Sequence, residues 1–121
     1  MKNIEMEGML AALEKHLART DLIGYAAARN TRVLRDELLE YRQKRDELVC
    51  KHGEPQVDEK GRPTGVFAVD PESDGFGAFV DELNVIAGVE HEPRLFTIPF
   101  EEAIGRLSGS ELLEIEWMFE E

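Results

Sequence analysis

The sequence predicts an α+β fold that is mainly helical, and three features carry that prediction. Ala27, Leu34, Leu38, Tyr41, Leu48 and His52 recur at spacings of three, four and seven, the period of one helix face. Two short β-type stretches, Val57 with Val66–Val69 and Arg94–Ile98, interrupt the helical pattern. Apolar residues return at helical spacing in Phe76, Phe79, Val80, Leu83 and Ile86–Ala87, and again from Leu112 to Met118. The expected architecture is a helical hairpin of residues 4–18 and 22–52, followed by a smaller acidic half, residues 53–121, with a short β-sheet and a C-terminal helix. A chain of 121 residues fits one domain.

Met6, Leu10, Leu13 and Leu17 mark the first helix, from Ile4 to Ala18, and the brief linker Arg19-Thr20-Asp21 implies an antiparallel or sharply angled helix pair. Thr20 or Asp21 offers a side-chain oxygen to cap the long helix. Gly24 with Ala26, Ala27 and Ala28 keeps the start of that helix thin, so the first helix can approach. Gly53 is expected to end it in a left-handed conformation, and Pro55 forbids its resumption. Lys51 and His52 sit in the last turn, where positive charge suits the helix dipole. The helix is roughly 45 Å long at 1.5 Å per residue. Arg45 falls where the stripe calls for an apolar residue. Its stem can pack while its head reaches solvent or a carboxylate, or it can set register in a helix–helix seam.

Asp58-Glu59-Lys60-Gly61 fits a type I turn followed by a left-handed glycine, a hairpin loop between Val57 and Val66–Val69. Pro63 restricts that pairing to an edge or a short ladder. The hairpin reads either as a connector or as an exposed recognition element. Asp70 to Gly75 is a loop, with Asp70, Ser73 or Asp74 expected to cap the helix ending at Gly88. Arg94–Ile98 is the best remaining strand and joins the short sheet. Phe100 to Leu107 holds a helical turn or two, and Ser108-Gly-Ser-Glu111 has capping-box spacing before the final helix.

The formal net charge of −12 is unevenly placed. Residues 1–28 sum to −1, residues 29–51 to +2, residues 52–69 to −1 and residues 70–121 to −12. That surface repels a phosphate backbone and attracts a basic protein. No apolar run approaches the length of about eighteen residues that a membrane span needs. The start does not read as a signal peptide, and the single cysteine permits no intrachain disulfide. The expected setting is the cytoplasm, with neither nucleic acid nor membrane as a direct partner.

Asp70, Glu72, Asp74, Gly75 and Asp81 occupy positions one, three, five, six and twelve of a calcium loop. Asp is short for position twelve, Gly77 replaces the usual apolar residue at eight, and the preceding stretch is extended, so no metal is expected. Cys50 and His52 point apart on a helix, and neither His16 nor His91 has an obvious partner for a zinc site. Cys50 lies at the helix end that destabilises a thiolate, and no nucleophile elbow or phosphate loop occurs. No catalytic residue or cofactor is therefore expected. Arg29, Arg32, Arg35, Arg42 and Arg45 alternate with Asp36, Glu37, Glu40, Asp46 and Glu47, which reads as a solvated, salt-bridged face.

The run Ala28-Arg29-Asn30, Leu34, Glu37-Leu38, Tyr41, Arg45, Leu48 and Lys51-His52-Gly53-Glu54, then Asp58-Glu59 and Gly61, resembles a family of small acidic phage and prophage proteins of uncharacterised function. So does the tail, an extended stretch near Phe96–Ile98 followed by a Leu-Ser-x-x-Glu-Leu helix. The likeness covers most of residues 22–121. It implies a virion-assembly accessory or an inhibitor of a host protein, and brings no catalytic residue with it.

Two function classes are expected from these readings. One is a non-enzymatic protein acting through protein–protein interaction. The other is an acidic nucleic-acid mimic that blocks a DNA- or RNA-binding protein. The stripe Leu34, Leu38, Tyr41, Arg45 and Leu48 is the expected self-association or partner face, because the short first helix cannot cover the long one. A homodimer of antiparallel rods or the acidic half of the same chain would cover it.

Overall fold

The computed structural model describes residues 1–121. It is 57% helical, with a long helix, small two-stranded sheets and a short helix near the end, so the mainly helical α+β class holds. The helices are α1 (Asn3–Glu14), α2 (Leu22–His52), α3 (Phe76–Ala87) and α4 (Gly109–Ile115). The strands are β1 (Glu54–Val57), β2 (Pro63–Ala68), β3 (Ile98–Pro99) and β4 (Phe119–Glu120). The residues fall into two compact units, Met1–Leu38 with Glu90–Glu121, and Leu39–Val89. The division therefore runs through α2, whereas the expected halves met at its end.

In the first unit, α1 stops one turn earlier than its apolar spacing suggests. The backbone tightens into i→i−3 hydrogen bonds, from His16 N to Leu13 O at 2.9 Å and from Arg19 N to His16 O at 3.2 Å. That turn buries His16 and leaves Leu17 exposed, so His16 replaces Leu17 on the buried face. The helix that α1 approaches most closely is α4, and Lys15 Nζ donates to Glu114 across the pair at 3.0 Å. The core of this unit gathers Met6, Leu10 and Leu13, then Ile23, Ala27, Leu34 and Leu38, then Ile98, Ala103, Ile115 and Met118.

Asp21 begins α2, accepting a hydrogen bond from Gly24 N at 3.1 Å, the capping role that its position predicts. The Arg19 guanidinium, 2.7 Å away, holds the Asp21 carboxyl down at about 2. Gly24 is required by the linker rather than by α1, since a Cβ there would lie 2.2 Å from the Arg19 carbonyl oxygen.

The expected strand Arg94–Ile98 does not join the hairpin sheet. Asn30, buried in α2, donates from Nδ2 to Phe96 O at 2.8 Å and accepts from Phe96 N at 2.6 Å. A side chain thus supplies the backbone partners that a neighbouring strand would have supplied. Only Ile98–Pro99 pairs, in parallel with Phe119–Glu120, and Thr97 Oγ1 donates to the Glu120 carboxylate. The last helix therefore does not end the chain: α4 gives way to a 3-10 turn at Glu116–Met118 and then to β4. Its start is as expected, with Ser108 Oγ accepting from Glu111 N at 3.2 Å and Glu111 accepting from Ser108 N at 2.9 Å.

In the second unit, α2 ends at His52 as its punctuation predicts, but Gly53 does not adopt a left-handed conformation. The glycine serves close approach: a Cβ would sit 2.4 Å from Val49 O and 2.6 Å from Ala68 O. The loop at Asp58–Gly61 follows the expected turn. Asp58 O accepts from Gly61 N at 3.0 Å, Asp58 Oδ1 accepts from Lys60 N at 2.9 Å, and Gly61 takes φ +75°. The antiparallel pairing is irregular between Pro55 and Val57, and Gly65, at φ +79°, lies opposite that irregularity in β2. Side chains do not cap α3. Gly75 is its N-cap, while Asp70 Oδ1 accepts from Glu72 N at 2.9 Å inside its own turn.

Candidate interaction surface

A polar chain spends its apolar residues on a core first, and the two units differ in how completely they do so. In the second unit only Tyr41 and Ala87 are buried among the apolar side chains. Leu48 and Val49 of α2, and Phe76, Phe79, Val80, Leu83 and Ile86 of α3, are only half-buried. His52 meets the Phe79 ring edge-on at 6.3 Å, and its Nε2 lies 2.9 Å from Glu82. Lys51 Nζ donates to the same carboxylate at 3.0 Å, and His52 and Lys51 together hold Glu82 below the usual glutamate range. This polar bridge ties α3 to the last turn of α2.

Between those helices runs an open groove of about 460 Å³, lined by Lys44, Glu47, Leu48, Lys51, Glu82, Val85 and Ile86. Val85 stands 74% exposed on its edge. A second recess of about 510 Å³ lies where His52, Gly53 and Glu54 face Ala68–Pro71 and Ser73. Both strands of the β1–β2 hairpin are exposed at every residue. Val57, Val66 and Phe67 there are 60%, 58% and 39% exposed. An isolated two-stranded hairpin is marginal in water, and one with bare apolar side chains more so.

The expected partner face divides in two. Leu34 and Leu38 are fully buried and Tyr41 nearly so within the single chain. Within the first unit, the residues after α3 return to α2 at Asn30, which holds Phe96. Arg45 and Leu48 stay partly exposed. Arg45 packs its guanidinium 5.8 Å above the Tyr41 ring and lies 3.9 Å from Asp46, so stem and head behave as expected of a packed surface arginine.

The salt-bridged reading of the arginines needs correction in the first unit. Arg29 stacks on Phe96 at 4.4 Å, within reach of Tyr25, rather than on a carboxylate. Arg32 and Arg35 make no ion pair at all. Asp36 and Glu37 do not reach them, and Glu37 instead meets His91 Nδ1 at 3.0 Å.

Of the calcium-loop residues, Asp70 closes its own turn, its Oδ1 accepting from Glu72 N, and no three His, Cys, Asp or Glu side chains converge as a metal cluster would. Cys50 is exposed on the outer side of α2. No helix is long and apolar enough to cross a membrane. Sequence reasoning missed Val85, whose signal was an aliphatic residue on the polar side of the α3 stripe. No family model matches the chain, and no curated protein or solved structure matches it.

Proposed function

We propose that this chain is a non-enzymatic interaction protein of a phage or prophage, acting in the host cytoplasm on a protein partner through its second compact unit. The observation that supports it most is the β1–β2 hairpin, exposed along both strands with Val57, Val66 and Phe67 bare. A partner that adds a strand to this edge, or covers its apolar face, would supply the burial that the unit lacks. The groove of Leu48, Val85 and Ile86 in the same unit offers further apolar surface. The phage setting rests on the sequence resemblance, and a virion component or an inhibited host protein would each fit it.

A second reading, an acidic mimic of nucleic acid, draws on charge. The first unit carries eight basic and fifteen acidic residues and the second six and eleven, so both are strongly negative. Affinity capture from host lysate with wild-type, Val66→Glu/Phe67→Glu and Glu101→Gln/Glu102→Gln/Glu114→Gln baits distinguishes the two. The interaction reading expects a discrete partner lost with the hairpin variant and kept by the carboxamide variant. A nucleic-acid-binding protein showing the opposite pattern favours mimicry, and capture indifferent to both variants rejects both readings.

A further inference from the structure

We propose that a groove on the N-terminal half of α2 binds a carboxylate, presented by an acidic peptide segment of a partner protein. The groove is open, about 290 Å³, and lined by Leu17, Ala28, Thr31, Arg32, Arg35 and Asp36. All six belong to the first compact unit, so the inference is independent of the hairpin reading.

The sequence builds this groove from helical spacing. Ala28, Thr31, Arg32 and Arg35 stand at offsets of zero, three, four and seven, one face of α2. Ala28 leaves the floor low, and the early end of α1 turns Leu17 outward as an apolar wall. Arg32 and Arg35 then flank an open space, three residues apart, a spacing that puts side chains within about 6 Å at their bases.

Three properties point to a carboxylate. First, both guanidinium groups are exposed and unpaired although their unit holds fifteen acidic residues, and they stand one helical turn apart on α2, whereas the exposed Arg94 has no second arginine beside it in sequence. A planar fork with free donors matches a carboxylate through two parallel hydrogen bonds. Second, Thr31 is 5% exposed, and its hydroxyl makes no hydrogen bond. A buried hydroxyl normally has a partner, and an oxygen ligand over this face would provide one after rotation about χ1. Third, Asp36 at the groove's edge leaves a local charge of +1, suited to a monoanion. An extended polyanion would meet the unit's net −7, which disfavours nucleic acid.

The test is an NMR titration of the full chain with three probes: a blocked peptide carrying a single glutamate, inorganic phosphate and a short single-stranded oligonucleotide. The expected result is a saturable, salt-sensitive shift at the amides of Ala28, Thr31, Arg32 and Arg35 with the peptide, at millimolar affinity. Arg32→Gln/Arg35→Gln should weaken it at least about tenfold, since charge-assisted hydrogen bonds are lost. Arg94→Gln, an exposed arginine elsewhere in the unit, should leave it unchanged, and Thr31→Val should weaken it by a smaller factor. Unchanged spectra away from the groove verify that the variants fold. No saturable shift with the peptide, an equal shift in the double variant, or tighter binding of phosphate or oligonucleotide would each overturn the proposal.

Discussion

Asn30 and Thr31 are adjacent, both buried and both polar, yet replacing them should have very unequal consequences. Asn30 makes two hydrogen bonds to the backbone of Phe96, while the Thr31 hydroxyl makes none. Asn30→Leu keeps the volume but strands the Phe96 N–H and C=O. Each stranded backbone group costs about 1–3 kcal/mol when fully buried. Phe96 is only half-buried, so water recovers part of this, and the net loss should be about 2–4 kcal/mol. That is a large share of the roughly 5–15 kcal/mol that holds a domain together. Thr31→Val is isosteric and removes an unused group, so its effect should stay within about 0.5 kcal/mol. Urea unfolding followed by Trp117 fluorescence measures both, because Trp117 lies in the same compact unit. A loss below about 0.5 kcal/mol for Asn30→Leu, or equal losses for the two variants, would refute the clamp.

Three further outcomes follow from the packing. Asp21 has a folded pKa of about 2, below its unfolded value, so its contribution is complete above that unfolded value and vanishes as pH falls through 2. With its side chain 30% exposed, screening reduces that contribution to about 1 kcal/mol, and the gap in melting temperature between wild type and Asp21→Asn should close in acid. Gly53→Ala should cost about 1–3 kcal/mol, because the new Cβ meets two carbonyl oxygens that cannot swing away; hydrogen exchange should accelerate selectively over residues 54–68. Leu38→Asp should give an unfolded chain by circular dichroism rather than a folded monomer, since a carboxylate there is buried in its own chain; a folded variant would return Leu38 to the surface.

What the sequence disclosed and what it hid divide along a physical line. The limits of α2 were legible because local signals mark them: Asp21 caps one end and Gly53 with Pro55 marks the other, although Gly53 acts there through close approach to Ala68 rather than through a left-handed turn. The Asp58–Gly61 turn and the Ser108–Glu111 capping box were legible for the same reason. The Phe96 clamp was not, because its two halves lie 66 residues apart, although a lone Asn30 between Ala27 and Leu34 in an apolar stripe was a sign that something polar awaited it. The pairings of Lys51 with Glu82, Glu37 with His91, and β3 with β4 also join residues far apart in the chain. The stripe itself was read correctly as a buried face, but periodicity does not say whether one chain or two does the burying. At Leu34, Leu38 and Tyr41 one chain suffices. The bare hairpin was foreseen as one of two alternatives, and its exposure depends on what packs against it, which no local pattern encodes.

The central claim is that the second unit's exposed apolar surface receives a partner, and site-directed photo-crosslinking tests it most directly. A photoreactive residue is placed singly at Val66 and at Val85, and, as exposed apolar controls on the first unit, at Ile4 and Leu113. The proteins are irradiated in host lysate with and without excess unlabelled competitor. The account predicts one discrete adduct shared by positions 66 and 85, absent at 4 and 113. Wild-type competitor should abolish it and Val66→Glu/Phe67→Glu should not. Adducts that are identical at all four positions, or that appear only at 4 and 113, would contradict it.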